Sequence, residues 1–279
     1  MTSSPAGAVL LVGAGRMGGA LLKGWLVQGL QASGIFVQEP SPPPHVATLI
    51  SSAGIVTGAP PVMAAPPAVI VLAVKPQAME AVLPSIAPLA GPQTVVLSIA
   101  AGRSIASMAR HFPAGTAIVR AMPNTPAAIG RGITALCANA HAAPDQRAQC
   151  ETLLRAAGEV VWLEEESLID AVTAVSGSGP AYVFLLAECL AQAGRAAGLD
   201  AELAARLARA TVSGAGELLH ESPLDPAELR RNVTSPAGTT EAALHVLMGA
   251  GDTGAPGPMQ DLMIRAVAAA LRRSRELAS

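Results

Sequence analysis

The chain has 279 residues, 51% of them hydrophobic, enough apolar material for one large domain or two ordinary ones. With 18 Lys and Arg against 20 Asp and Glu, and no basic run, it lacks the electrostatic footprint of a nucleic-acid or anionic-membrane binder, so small-molecule chemistry is expected. The mean hydropathy of +0.44 owes much to alanine and glycine, and no uninterrupted apolar run reaches the roughly 20 residues of a spanning helix, so no membrane segment is expected.

In chain order, residues 1–7 have no basic stretch, and Gly13, Gly15 and Arg16 interrupt the apolar residues that follow, so no signal peptide is read there. Short apolar runs at 9–12, 35–38, 69–74, 94–99, 117–121, 133–137 and 160–163, each bounded by Gly, Pro or Ser, predict buried strands. Segments of helical spacing such as 17–28 and 104–111 lie between them, and this alternation implies a doubly wound, mostly parallel sheet covered on both faces. Beyond residue 163 the strand signals stop. Ala/Leu-rich helical stretches follow at 165–175, 180–197, 201–219, 240–248 and 259–277, which divides the chain into an α/β dinucleotide-binding domain (1–164) and an all-helical domain (165–279). Leu203, Leu207, Thr211, Gly214 and Leu218 share one helical face; periodicity alone leaves open whether it packs within the chain or on a partner subunit. The Gly/Pro-rich 249–258 stretch reads as a surface loop.

Val9-Leu-Leu-Val-Gly13-Ala-Gly15-Arg16-Met17-Gly18 is a GxGxxG motif placed directly after a strand and opening a helix. Gly13 permits the tight turn, Gly15 lets a pyrophosphate approach the backbone, Gly18 brings helix against strand, and the helix N-terminus offers N–H groups to phosphate oxygens. The second strand ends at Glu39, about 20 residues beyond the last motif glycine, where a carboxylate accepts from the adenosine ribose and repels a 2′-phosphate. The expected cofactor is NADH or NADPH, with NADH favoured by Glu39. Cys137, Cys150 and Cys189 are far apart and the five histidines scattered, so no disulfide framework and no metal is expected, and a reducing cytoplasm suits the chain.

Four segments put small residues and proline where ligands sit: Leu72-Ala73-Val74-Lys75-Pro76, Ser98-Ile-Ala-Ala101-Gly102, Arg120-Ala-Met-Pro123-Asn124-Thr-Pro-Ala127 and Ser176-Gly-Ser-Gly179-Pro180-Ala-Tyr182. A fifth, Asn232-Val-Thr-Ser235-Pro236-Ala237-Gly238-Thr239-Thr240-Glu241, leads from a loop into a helix whose first N–H groups suit a carboxylate. Together, in this order, these segments resemble pyrroline-5-carboxylate reductase, and the resemblance runs from the first strand to the Arg273–Leu277 tail.

The resemblance implies reduction of 1-pyrroline-5-carboxylate to L-proline, the last step of proline biosynthesis. It implies a cytoplasmic homodimer of interlocked helical domains, often assembled further, with each active site between one subunit's nucleotide domain and the other's helices. Carried over by motif, it places the cofactor on Gly13, Gly15, Arg16, Met17, Gly18, Ala73, Val74, Lys75, Pro76, Ala101 and Asn232, with Asn124 near the nicotinamide. Substrate contacts are expected from Glu165, Ser235, Gly238, Thr239 and Thr240, the last three through backbone N–H groups, and the Thr240 hydroxyl is the candidate donor to the ring nitrogen. A protonated imine is already electrophilic, so orientation, exclusion of water and one donor suffice.

Bland readings stand beside these: Lys75 as a solvated strand-end lysine, Thr240 as a helix-start residue, Glu165 as one of three surface glutamates, and Trp162 and Tyr182 as packing. Where the family usually has two glycines after Ser-Pro this chain has Ala237 first, Arg231 replaces a commonly acidic residue, and Ala59-Pro60-Pro61 stands where a ribose-contacting Asn is expected. A β-hydroxyacid-type dehydrogenase, which needs a lysine on the helix after a Gly-rich loop, is disfavoured because 176–192 holds no Lys. A non-catalytic dinucleotide sensor is the rival of a different class.

Overall fold

The computed structural model describes residues 7–58, 63, 65–249 and 256–278, so Ala59-Pro60-Pro61 and most of the 249–258 loop lie outside the described residues. Eight strands are present among the described residues: β1 (Val9–Val12), β2 (Ile35–Gln38), β3 (Val56–Thr57), β4 (Val69–Leu72), β5 (Val95–Ser98), β6 (Ala117–Met122), β7 (Gly132–Ala138) and β8 (Gly158–Trp162). They form one sheet in the order β3-β2-β1-β4-β5-β6-β7-β8, parallel throughout except between β6 and β7. The connecting helices are α1 (Arg16–Val27), α2 (Pro44–Ser52), α3 (Met79–Ile86), α4 (Ile105–Ala109) and α5 (Pro144–Arg155).

The central strands VLLV, VIVL and VVLS are buried along their whole length, as strands covered on both faces must be. Strand alternation sends Val9 and Leu11 to one face, against Leu21, Leu22 and Trp25 of α1 and Leu153 and Leu154 of α5. Leu10 and Val12 go to the other, against Met79, Leu83 and Ile86 of α3. Each such large apolar side chain contributes about 1.5–3 kcal/mol when fully buried. Trp25 also donates its indole N–H to the Leu153 carbonyl at 2.8 Å, so the bulkiest core residue carries no unsatisfied donor.

The order of connection locates the site. From β1 the chain steps outward to β2 and β3, then returns to β4 on the other side of β1. Between the carboxyl ends of β1 and β4 lies the topological switch point, where open α/β sheets bind ligands.

Two compact units are present: residues 1–177 with 271–279, and residues 178–270. The sequence reading placed the boundary between 164 and 165. In the structure α6 (Ile169–Val172) and the wide turn Thr173–Gly177 remain with the sheet, because Ile169 is buried against Ala135 and Cys137 of β7. The final residues of the last helix belong there too: the Ser274 hydroxyl donates to Asp170 at 2.7 Å.

The second unit holds α7 (Gly179–Ala196), α8 (Ala201–Glu221), α9 (Pro226–Asn232), α10 (Thr239–Met248) and most of α11 (Pro258–Ala278). The helices α7 and α8 meet through small residues; Ala204 and Ala208 are buried, and a side chain at Gly194 would lie 3.3 Å from the Ala204 Cβ. The Leu203, Leu207 and Leu218 face stays uncovered within the chain, together with Phe184 (62% exposed), Leu185 and Leu186 on α7. The continuous helical turns from Glu166 to Ala196 have, by length and composition alone, the mean hydropathy of a membrane-crossing helix, 1.3. The sequence reading, counting uninterrupted apolar runs, expected none.

Candidate active site

Gly13 takes φ +92°, and its N–H bonds the Gln38 carbonyl at 2.9 Å, tying the end of β1 to the end of β2. A Cβ at Gly13 would lie 2.8 Å from the Ala73 carbonyl carbon and oxygen and 2.9 Å from Val74 Cγ1, so Ala73 and Val74 close one wall of the turn. A side chain at Gly18 would overlap the Gly13 carbonyl oxygen, which is how α1 begins against the strand end. At Gly15, by contrast, an added Cβ meets nothing within 4 Å. This open space lies at the N-cap of a twelve-residue helix, where the N–H groups of Arg16, Met17 and Gly18 have no intrahelical acceptor. The cradle therefore has the form that a dinucleotide pyrophosphate requires.

Glu39 is held against this turn. One carboxylate oxygen accepts from Ala14 N–H at 3.0 Å and the other from Ser41 N–H at 3.0 Å, which leaves further lone pairs for a ribose. Lys75 is exposed at the end of β4 and opens a short turn at Pro76. Ala101 is exposed in the loop after β5. Arg103 joins these two loops: its guanidinium donates to the Pro76 carbonyl and to Glu80, each at 3.0 Å.

Asn124 is a bolt within the protein. Its side-chain carbonyl accepts from Ile133 N–H at 3.0 Å and its amide donates to the Ser176 hydroxyl at 3.2 Å, so both ends of the side chain are engaged by neighbouring segments. Of the three consecutive glutamates, Glu165 is exposed and its carboxylate accepts a local Ser167 hydroxyl at 3.1 Å, whereas Glu166 pairs with the buried Arg120 at 2.7 Å. Arg103, Arg120, Glu166 and Ser176 were not among the sequence-derived site residues. A charged residue inside the apolar strand AIVRAM is the one signal that pointed to such a network.

The second constellation lies in the helical unit. Asn232 ends α9, exposed, and 235–238 forms a tight turn in which Gly238 N–H donates to the Ser235 carbonyl at 3.0 Å. That bond engages, within the turn, one of the three N–H groups expected to hold a substrate carboxylate. Thr239, Thr240 and Glu241, the first three residues of α10 after the Gly238 cap, keep N–H groups without intrahelical acceptors. Glu241 reaches back to accept Ala237 N–H at 2.7 Å, and Thr240 is half-buried.

Ala237 is the one non-glycine described residue with positive φ, at 59°. The left-handed region costs an L-residue roughly 1–2 kcal/mol, while glycine adopts it freely but loses more entropy on folding. Ala237→Gly should therefore keep or raise thermal stability, whereas Ala237→Val should lower it by at least about 1 kcal/mol. Melting curves of the two variants check this.

Two family profiles match: "Pyrroline-5-carboxylate reductase dimerisation" over residues 166–277 and "NADP oxidoreductase coenzyme F420-dependent" over residues 8–102. A pyrroline-5-carboxylate reductase of Pseudomonas aeruginosa is 42% identical over 270 residues, covering 97% of this chain and 96% of that protein. This chain belongs to the pyrroline-5-carboxylate reductase family. One from Synechocystis is 48% identical over 209 residues, covering 75% of this chain and 74% of its own length. Among solved structures, a pyrroline-5-carboxylate reductase from Coxiella burnetii is similar with a TM-score of 0.86 at 33% identity, covering 98% of this chain and 99% of that one. A Plasmodium falciparum pyrroline carboxylate reductase with NADP bound gives 0.77 at 27% identity, covering 99% and 100%. As a member of this reductase family the chain is an oxidoreductase, and the long apolar α7 falls within the stretch matched as dimerisation domain.

Proposed function

We propose that the chain reduces 1-pyrroline-5-carboxylate to L-proline as a cytoplasmic homodimer, with a reduced nicotinamide dinucleotide as electron donor. What carries this reading is that a family member keeps both the open dinucleotide turn at Gly15 and an α10 first turn with N–H groups available to a carboxylate. A bound reduced dinucleotide would supply hydride chemistry for the carbon of the protonated imine, whose C=N π pair would become the lone pair of the product amine.

The chain's own residues bind, orient and donate. Gly13 and Gly18 shape the turn, and the first N–H groups of α1 face the phosphates. Ala73, Val74, Lys75, Pro76 and Ala101 line the two loops that Arg103 joins, and Asn232 closes α9 beside the substrate turn. Thr239 and Thr240 hold the substrate carboxylate through backbone N–H groups, with Ser235 completing the turn, and the Thr240 hydroxyl donates towards the ring nitrogen. The uncovered apolar faces of α7 and α8 pack on a second copy of the chain, which supports the dimer and accounts for the hydropathy of α7 without a membrane.

Glu39 directs the choice of cofactor to NADH, since its charge opposes a 2′-phosphate. Glu39→Gln should shift the ratio of kcat/KM values towards NADPH by about five- to tenfold, the worth of roughly 1 kcal/mol between neighbouring surface charges. An unchanged ratio would remove Glu39 from the selectivity account. The activity itself is tested by steady-state oxidation of NADH and NADPH with 1-pyrroline-5-carboxylate. Turnover with either supports it, and binding of NADH that is indifferent to proline, with no turnover, would favour a dinucleotide sensor instead.

A further inference from the structure

Glu166 lies where three segments of the sheet unit meet. Its Oε1 accepts the Arg120 guanidinium at 2.7 Å and the Ile105 N–H at 2.8 Å. Arg120 sits in β6 with its side chain 6% exposed, four residues before Asn124. Ile105 opens α4, four residues after Ala101. One carboxylate oxygen thus ties the Ala101 loop and the strand leading to Asn124 to the 166–177 segment, and the Asn124–Ser176 hydrogen bond fastens that segment's far end. Met122 bears on the same place: its Cε would stand 2.8 Å from a Cβ at Gly177.

The position in the sheet says which half of a dinucleotide this junction serves. The adenosine ribose belongs at Glu39 on the β2 side and the pyrophosphate at the turn after β1, so the nicotinamide half extends over the ends of β4 and β5. Glu166 bonds to the first residue of α4, after the β5–α4 connection, and to β6. We propose that Glu166, acting through Ile105 N–H and Arg120, is a positioning residue for the nicotinamide side of the cofactor site. The inference rests on the oxidoreductase reading above and adds a role for a residue not among the expected cofactor or substrate contacts.

The test compares Glu166→Gln with wild type, and with Glu164→Gln as an exposed neighbour, by the binding of ADP-ribose, the binding of NADH, and kcat with 1-pyrroline-5-carboxylate. ADP-ribose has every part of NADH except the nicotinamide ring, so its affinity should stay within about twofold of wild type, while NADH affinity and kcat together fall roughly tenfold to a hundredfold, the cost of ångström-scale misplacement of a reacting group. Glu164→Gln should resemble wild type. Overall loosening of the fold would weaken ADP-ribose and NADH alike, and that result overturns the proposal, as does a Glu166→Gln variant indistinguishable from wild type. Should Glu166→Gln fail to fold, Glu166→Asp, which keeps the charge but shortens the reach, takes the same comparison. If neither folds, Glu166 is a determinant of folding and the positioning role is overturned. Absence of turnover in wild type would defeat the proposed activity, while the ADP-ribose and NADH comparison would still decide the role of Glu166.

Discussion

Gly13→Ala should both destabilise the protein and abolish dinucleotide binding. At φ +92° an alanine incurs the roughly 1–2 kcal/mol of the left-handed region. Its methyl group would press on the Ala73 carbonyl at 2.8 Å, and tightly packed backbone yields only at a further cost of about 1–3 kcal/mol. Ala73 has little room to retreat, because its N–H is bonded to the Val12 carbonyl at 2.7 Å. The expected loss of about 2–5 kcal/mol is a large part of the roughly 5–15 kcal/mol that holds a domain folded. Relief of the clash would displace the turn proposed to receive the pyrophosphate. A melting curve and a fluorescence titration with NADH read the two effects, and a variant that melts and binds like wild type would contradict the packing described for the turn.

Thr240→Val should lower kcat by about a hundredfold, the lower end of what a positioned proton donor contributes, with NADH affinity unchanged. Valine keeps the shape and β-branching of threonine at the second position of α10, so the helix start and its backbone N–H groups survive. Only the hydroxyl is lost. Thr240→Ser, which restores it, should recover most of the rate. If Thr240→Val turns over at the wild-type rate, the ring nitrogen needs no donor from this residue, and the role of α10 reduces to holding the carboxylate through its backbone.

Much of the sheet domain was legible because its strands are continuous apolar runs and its glycines answer to conformational demands. The runs 9–12 and 35–38 coincide with β1 and β2, and the motif glycines occupy the turn assigned to them. The run 69–74 overshoots β4 by two residues, Ala73 and Val74, which lie beyond the strand and wall the Gly13 turn. Strand direction was not legible, since an apolar run reads the same whichever way it points; the antiparallel step from β6 to β7 is a tertiary fact. The short β3, with both residues exposed, offers no apolar run at all.

The site divides in the same way. Backbone chemistry at Gly13, Gly15 and Gly18 follows from the motif, whereas the choice among three consecutive glutamates does not. Local spacing treats Glu164, Glu165 and Glu166 alike; the distinction is made by Arg120, 46 residues earlier in the chain, whose buried charge selects Glu166. Likewise the 235–240 segment announces a loop leading into a helix start, but which of its N–H groups are engaged depends on the Gly238–Ser235 and Ala237–Glu241 bonds formed inside the turn.

The central claim is hydride delivery to a cyclic imine, and isotope transfer tests it most directly. Purified protein supplied with 1-pyrroline-5-carboxylate and a reduced dinucleotide deuterated at the transferring position of the nicotinamide C4 should yield L-proline bearing one deuterium at C5 for each dinucleotide oxidised. Oxidation of the dinucleotide without labelled proline, or no oxidation at all, would contradict the account.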